Sequence, residues 1–215
     1  MLYLGNASSP AVRDAMATGE LGMMVTPAEG RSPAAARVWA ADNGCFGAGY
    51  PGDEAWTAWL ARLRPHAGRC LFATAPDVVA DAAATLLRST PHLPVIRRLG
   101  YPAALVAQDG LEHLRVPWSE FDVLFLGGST SWKLGPAAAA LTSQALDRGK
   151  AVHMGRVNSA RRWRHAARIG CASVDGTHLT FAPDAGLADV RRWIRDPAAD
   201  AADAAQRART EAAAA

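Results

Sequence analysis

Apolar positions along this chain gather into short runs, each closing on a small or polar residue and each followed by a stretch with helical spacing. Eight such runs are present: "LYLGN" (2–6), "LGMMVTP" (21–27), "RVWAADNG" (37–44), "CLFATAPD" (70–77), "AALVAQDG" (103–110), "DVLFLGGS" (122–129), "AVHMGRVN" (151–158) and "CASVDGT" (171–177). They lack strict polar alternation, which suits strands buried on both faces, and helix candidates such as "DEAWTAWLARLRP", "VVADAAATLLRS", "PAAAALTSQALDRG" and "SARRWRHAARIG" lie between them. Ser159 is placed to cap the last of these and Gly170 to end it, while Pro136 and Gly149 suit the two ends of the helix before it. Strands alternating with helices call for parallel crossovers, and eight repeats predict a compact (β/α)8 TIM barrel; a doubly wound open sheet is the alternative. The chain is short for a fold that usually takes about 200 to 400 residues, so its connections must be lean.

Composition narrows the class without changing this picture. With 215 residues, 50% of them apolar, the chain can bury one sizeable core, read as a single domain over 1–195. The Ala-rich segment 196–215 is low in complexity and carries no core pattern, which makes it a frayed or disordered tail. No apolar run approaches the roughly 18 residues of a membrane span, and the N-terminus lacks the pattern of a signal peptide, so a cytoplasmic protein without a membrane partner is expected. Cys45, Cys70 and Cys171 show no CxxC spacing and read as reduced, mostly buried thiols. The histidines show no HxH or HExxH spacing; no metal and no cofactor are expected, and His153 reads as a satisfied barrel residue.

In a barrel of this kind the active site forms at the C-terminal ends of the strands. Those ends carry Asp42 and Asn43, Asp77, Gln108 and Asp109, Gly127 and Gly128, Met154 and Gly155, and Asp175. An acid or amide after a strand commonly caps the next helix, but several acids and a glutamine gathered on one rim point to chemistry. Substitution at a sugar carbon fits: one carboxylate attacks the anomeric carbon and a second moves the proton of the leaving or entering group. Amides and glycine N–H groups can read the edge of a flat heterocycle, and a methionine or aromatic ring can cover its face.

In order and spacing these segments resemble tRNA-guanine transglycosylases and their DNA-directed relatives, the DpdA-like 7-deazaguanine transglycosylases. "ADNGCF" is similar to the family's SDSGGF or SDSGGY, "AALVAQDG…LEHLR" to IVQGG…DLR, "FLGGS" to VGG, "VHMGRVN" to YLMGVG and "SVDGT" to VDMFD, over residues 37 to 180. The resemblance implies Asp175 as the nucleophile at C1′ of the target guanosine and Asp42 as the acid/base that also binds the base. It further implies Asp77 and Gln108 as base readers and Gly127 with Gly128 as the backbone contact to the base carbonyl. Met154 and Phe46 would sandwich the ring, with Asn43 and Gly155 beside them.

The departures bear on the substrate. The family's CxCxxC zinc motif is absent, "GTHLTF" follows the nucleophile in place of a CVLPTR-like segment, and "STSWKLG" lacks the Glu that follows the paired glycines. A zinc-free barrel fits the DNA-modifying branch, which exchanges guanine for a 7-deazaguanine such as preQ0. DNA is therefore the expected polymer ahead of tRNA, with the free 7-deazaguanine base as second substrate and a helper protein that opens the duplex as a further partner. Arg156, Arg161, Arg162, Arg164 and Arg168 cluster just after the seventh strand, on the loop and helix before the nucleophile, and the loop residues Trp132 and Lys133 could meet a flipped-out strand. The alternatives are the same exchange on tRNA, hydrolysis of an N-glycoside, and a non-catalytic protein that binds a purine-like base.

Overall fold

Eight parallel strands close on themselves in sequence order. They are β1 (Leu2–Gly5), β2 (Gly22–Val25), β3 (Trp39–Ala41), β4 (Cys70–Thr74), β5 (Ala103–Ala107), β6 (Val123–Leu126), β7 (Ala151–Met154) and β8 (Ser173–Asp175). The last strand returns to the first with Leu4 opposite Asp175, which completes the predicted (β/α)8 barrel and removes the open-sheet alternative. This computed structural model describes residues 1–47 and 49–195, so the tail expected over 196–215 lies outside the described residues.

Each predicted run is longer than its strand, because its last residues leave the ladder and turn into the loops of the barrel mouth. The helices are α1 (Pro10–Thr18), α2 (Asp53–Leu63), α3 (Ala82–Ser89), α4 (Leu93–Arg98), α5 (Thr130–Lys133), α6 (Pro136–Leu146), α7 (Ala160–Ile169), α8 (His178–Phe181) and α9 (Pro183–Ile194). The connections β2 to β3 and β5 to β6 carry only a 3-10 turn, Pro27–Glu29 and Leu111–His113, which is how so short a chain closes eight strands.

The caps follow the sequence. Ser159 accepts from the Arg162 N–H and Gly170 ends α7 in the left-handed region, while Pro136 opens α6. The helix expected from Val78 begins only at Ala82, because Asp81 caps it through the Ala84 N–H and Ala80 takes a positive φ of 65°. Thr130–Lys133, expected as loop, is a short helix capped by Ser129. The three cysteines are free, Cys70 and Cys171 buried and Cys45 half-buried.

Strand alternation sorts the side chains into two cores. Tyr3, Leu105, Leu124, Leu126, Val152, Met154 and Val174 face the helix layer. Leu4, Ala40, Phe72, Ala104, Val106, Val123 and Phe125 fill the barrel itself. Phe72 meets Phe125 edge-on, and both rings close on the His153 imidazole at centroid distances of 4.8 and 4.6 Å. The interior is a packed plug that gives the mouth a firm floor. Phe72→Ala is expected to lower unfolding free energy by about 3–5 kcal/mol in denaturant melts, whereas a loss below about 1 kcal/mol would mean that the interior repacks freely.

Candidate active site

Above this plug, the C-terminal ends of the strands enclose a cavity of about 420 Å³. Of the residues singled out in the sequence, Asp42, Asn43, Asp77, Gln108 and Asp175 line it, together with Gly127, Gly155, Phe46 and Arg156. The floor is apolar, built from Val106, Phe125 and Met24.

One wall is a continuous hydrogen-bonded strip. Asn43 donates through Nδ2 to the Ala75 carbonyl (2.7 Å) and to Asp77 Oδ1 (2.8 Å), and its Oδ1 accepts from the Cys45 N–H (2.7 Å). Gln108 donates through Nε2 to Asp77 Oδ2 (2.6 Å) and accepts at Oε1 from the Ala80 N–H (3.1 Å). Three of the four amide hydrogens are thereby committed, two from Asn43 and one from Gln108. What remains for a ligand is one Gln108 N–H and the outer lone pairs of the Asp77 carboxylate. Burial pushes the Asp77 carboxyl up, and the bonds from Asn43 and Gln108 work against that rise.

The opposite wall holds Asp175 at the end of β8. Its Oδ1 lies 2.9 Å from His153 Nε2, and His153 Nδ1 lies 2.8 Å from Ser173 Oγ. Gly155 makes room for this carboxylate, and Gly176 for the loop that follows it. A Cβ at Gly155 would come 2.8 Å from the Phe125 ring and 3.3 Å from Asp175 Oδ1, and one at Gly176 would strike Asn158 Oδ1 and Tyr3 Oη. Asn158 instead accepts the Thr177 N–H (2.8 Å), which pins the loop that follows the acid.

The rim carries one well-held cation. Arg156, in the left-handed region with φ 60°, donates from one guanidinium nitrogen to the carbonyls of Gly127 (2.6 Å) and Gly128 (2.5 Å). Its guanidinium lies 4.4 Å from the centre of the Phe46 ring, over an otherwise exposed aromatic. Arg162 donates to the Arg156 carbonyl (3.0 Å), which makes it part of the same rim.

Several expected roles are corrected. Met154 faces outward into the helix layer because His153 and Gly155 take the inward positions of β7; Met24 is the thioether that lines the cavity. The Gly127 and Gly128 N–H groups both donate to the Ala107 carbonyl (3.0 and 3.1 Å), so neither is offered to a base, and Gly128 stays behind the wall. Lys133 is buried with its ammonium on the Gly155 carbonyl (2.5 Å), where a solvated contact to a strand was expected. Trp132 packs against the outer core and donates to Glu112 Oε2 (2.9 Å). Arg161 sits with His165 and Arg168 in a separate surface recess beside α7, away from the mouth. Asp109 accepts from Ser129 N and Oγ (2.6 Å each) and so anchors the residue that caps α5. The sequence reading missed His153 as a partner of Asp175, and also Met24, Asn158 and Thr177; only the strand parity shared by His153 and Gly155 hinted at the first.

Burial, then the nearby charges of Asp175 and Asp77, push the Asp42 carboxyl up to about 7, with the Asn43 and Gly44 N–H groups partly offsetting them. Burial likewise, with Arg156 beside it, pushes the Lys133 ammonium down to about 7. Among the described residues no three His, Cys, Asp or Glu side chains group to hold a metal, and no helix is long and apolar enough to cross a membrane.

Neither a family model nor a curated protein matches the sequence. In structure the chain is similar to a chain of the BexX/CysO complex of Amycolatopsis orientalis, at 18% identity over 91% of each chain with a TM-score of 0.52. It is also similar to dihydrodipicolinate synthase from Bacillus clausii, at 10% identity over 94% of this chain and 77% of that one (TM-score 0.54). A mandelate oxidase aligns over the same shares at 14% identity and a TM-score of 0.60. At these identities the likeness speaks to the barrel alone.

A raised carboxyl has a defined thermodynamic sign. Folded Asp42 keeps its proton from the ordinary carboxylate range up to about 7, so its contribution to stability falls as pH rises through that window. Asp42→Asn is therefore expected to gain stability relative to the parent on going from pH 4 to pH 8. Carboxyl ¹³C NMR should show Asp42 titrating near 7 and moving down in Asp175→Asn; titration in the ordinary range in both proteins would contradict the coupling.

Proposed function

We propose that this protein exchanges guanine in DNA for a 7-deazaguanine base through a covalent Asp175–C1′ intermediate. The observation that carries the reading is one cavity holding a carboxylate with an oriented side chain, a second carboxylate near neutrality, and a polar strip suited to a base edge. Its volume falls within the roughly 300–1,000 Å³ of sites that take small ligands.

In the first half-reaction the free oxygen of Asp175 attacks C1′ of the target nucleotide. The C1′–N9 bond breaks, its electron pair leaves with guanine, and the departing base takes a proton from Asp42. Guanine then gives way to the incoming base, whose N9 loses its proton to Asp42 as it attacks C1′ and displaces the Asp175 carboxylate. Two inversions give net retention, and Asp42 ends protonated as it began. A carboxyl near 7 serves both directions at neutral pH.

The Asp77 carboxylate and the free Gln108 N–H offer an acceptor and a donor to the ring edge, while Met24 and Phe46 offer apolar cover to its faces. Such a site requires the target base to leave the duplex. Arg156 and Arg162 at the rim supply the positive charge that a phosphate next to that base would meet. The choice of DNA rests on the missing zinc motif and the altered segments after the nucleophile and the paired glycines.

Incubation with guanine-containing DNA or with tRNA plus free preQ0, followed by digestion to nucleosides and mass analysis, tests the reading. Deazaguanosine is expected in DNA alone, absent in Asp175→Asn and formed about 10²- to 10⁴-fold more slowly in Asp42→Asn. Deazaguanosine in tRNA alone would reassign the polymer. Guanine release without incorporation would make the protein a hydrolase, and tight base binding without turnover a base-binding protein.

A further inference from the structure

Deep in the barrel, below the cavity, His153 is fully buried between the rings of Phe72 and Phe125. Apolar side chains would fill this place with less desolvation, yet both ring nitrogens are committed to polar partners on the neighbouring strand. His153 pairs in register with Ser173, and Asp175 is the next inward residue of β8. Two residues along a strand rise about 6.6 Å, a span that the imidazole bridges with one nitrogen toward each partner. Its bonds of 2.8 Å to Ser173 Oγ and 2.9 Å to Asp175 Oδ1 tie the carboxylate to the packed plug.

The chain of donors has one direction. A carboxylate oxygen only accepts, so Nε2 carries the hydrogen toward Asp175; in the neutral ring Nδ1 then accepts from the Ser173 hydroxyl. The oxygen that takes the Nε2–H has a lone pair committed and is the poorer nucleophile. Its partner, Oδ2, keeps its lone pairs.

We propose that His153, braced by Ser173, is a positioning residue that fixes the Asp175 carboxylate so that Oδ2 is the attacking atom. This rests on the nucleophile assigned to Asp175 above. Phe72 and Phe125 hold the ring plane, and Gly155 keeps the space beside Oδ1 clear.

Two measurements test it. In ¹⁵N-labelled protein, the His153 ring is expected as the Nε2–H form, with a signal that shifts in Asp175→Asn and in Ser173→Ala. A ring protonated on Nδ1 alone, or one indifferent to Asp175→Asn, overturns the proposal whether or not the protein is active. In exchange assays His153→Phe, which keeps an aromatic ring between Phe72 and Phe125, is expected to lower kcat about 10²-fold with KM for the free base held within about twofold. His153→Gln, which retains an N–H donor, should recover part of the loss. A His153→Phe protein with the parent's kcat overturns positioning while leaving base exchange standing, whereas an inactive parent with the expected ring signals refutes base exchange and leaves the hydrogen-bonded brace.

Discussion

Asp42, Asp77 and Asp175 open into one cavity whose floor is Val106, Phe125 and Met24, and three like charges there repel one another with little water to screen them. Each carboxylate meets the repulsion differently. Asp77 is held by two amide donors, Asp175 by the His153 imidazole, and Asp42 by keeping a proton to about neutrality. Under the proposed base exchange that contrast divides the roles into an ordered acceptor for a ring edge, an oriented nucleophile and a proton carrier. Environments that set apart otherwise identical groups are the usual source of paired acid and nucleophile.

The fold makes the crowding possible. Parallel strands place successive C-terminal ends around one rim, and the close approach at Gly155 lets the Asp175 carboxylate sit on the plug of Phe72, Phe125 and His153. Positive charge is set just behind. Arg156 takes a backbone conformation uncommon for a side-chain-bearing residue and is held there by the Gly127 and Gly128 carbonyls, while the buried Lys133 ammonium rests on the Gly155 carbonyl. Arg156 lines the mouth and is held by backbone carbonyls rather than by pairing with the carboxylates.

Much of this was legible from the chain because the rules involved are topological. Eight apolar runs and their helices specify a barrel, and the barrel rule alone carries Asp42, Asp77, Gln108 and Asp175 to one cavity. Facing was harder to read. In "AVHMG" His153 and Met154 are both buried, and only the parity that His153 shares with Gly155 hints that the histidine turns in and the methionine out. The bonds of His153 go to residues 20 and 22 positions ahead, beyond the reach of any local pattern. Lys133 looked solvated because its burial arises only when Gly155 meets it from the next strand, and the Gly127 and Gly128 N–H groups looked free until Ala107 took both.

The central claim is that Asp175 forms a bond to the sugar, and the most direct measurement is to look for that bond. The protein would be incubated with guanine-containing single-stranded DNA without an entering base, denatured, and analysed by mass for a protein–DNA adduct mapped to a peptide. The account predicts an adduct on the peptide carrying Asp175 that disappears when free 7-deazaguanine is added before denaturation. Guanine released with no adduct, or an adduct on another residue, would contradict it.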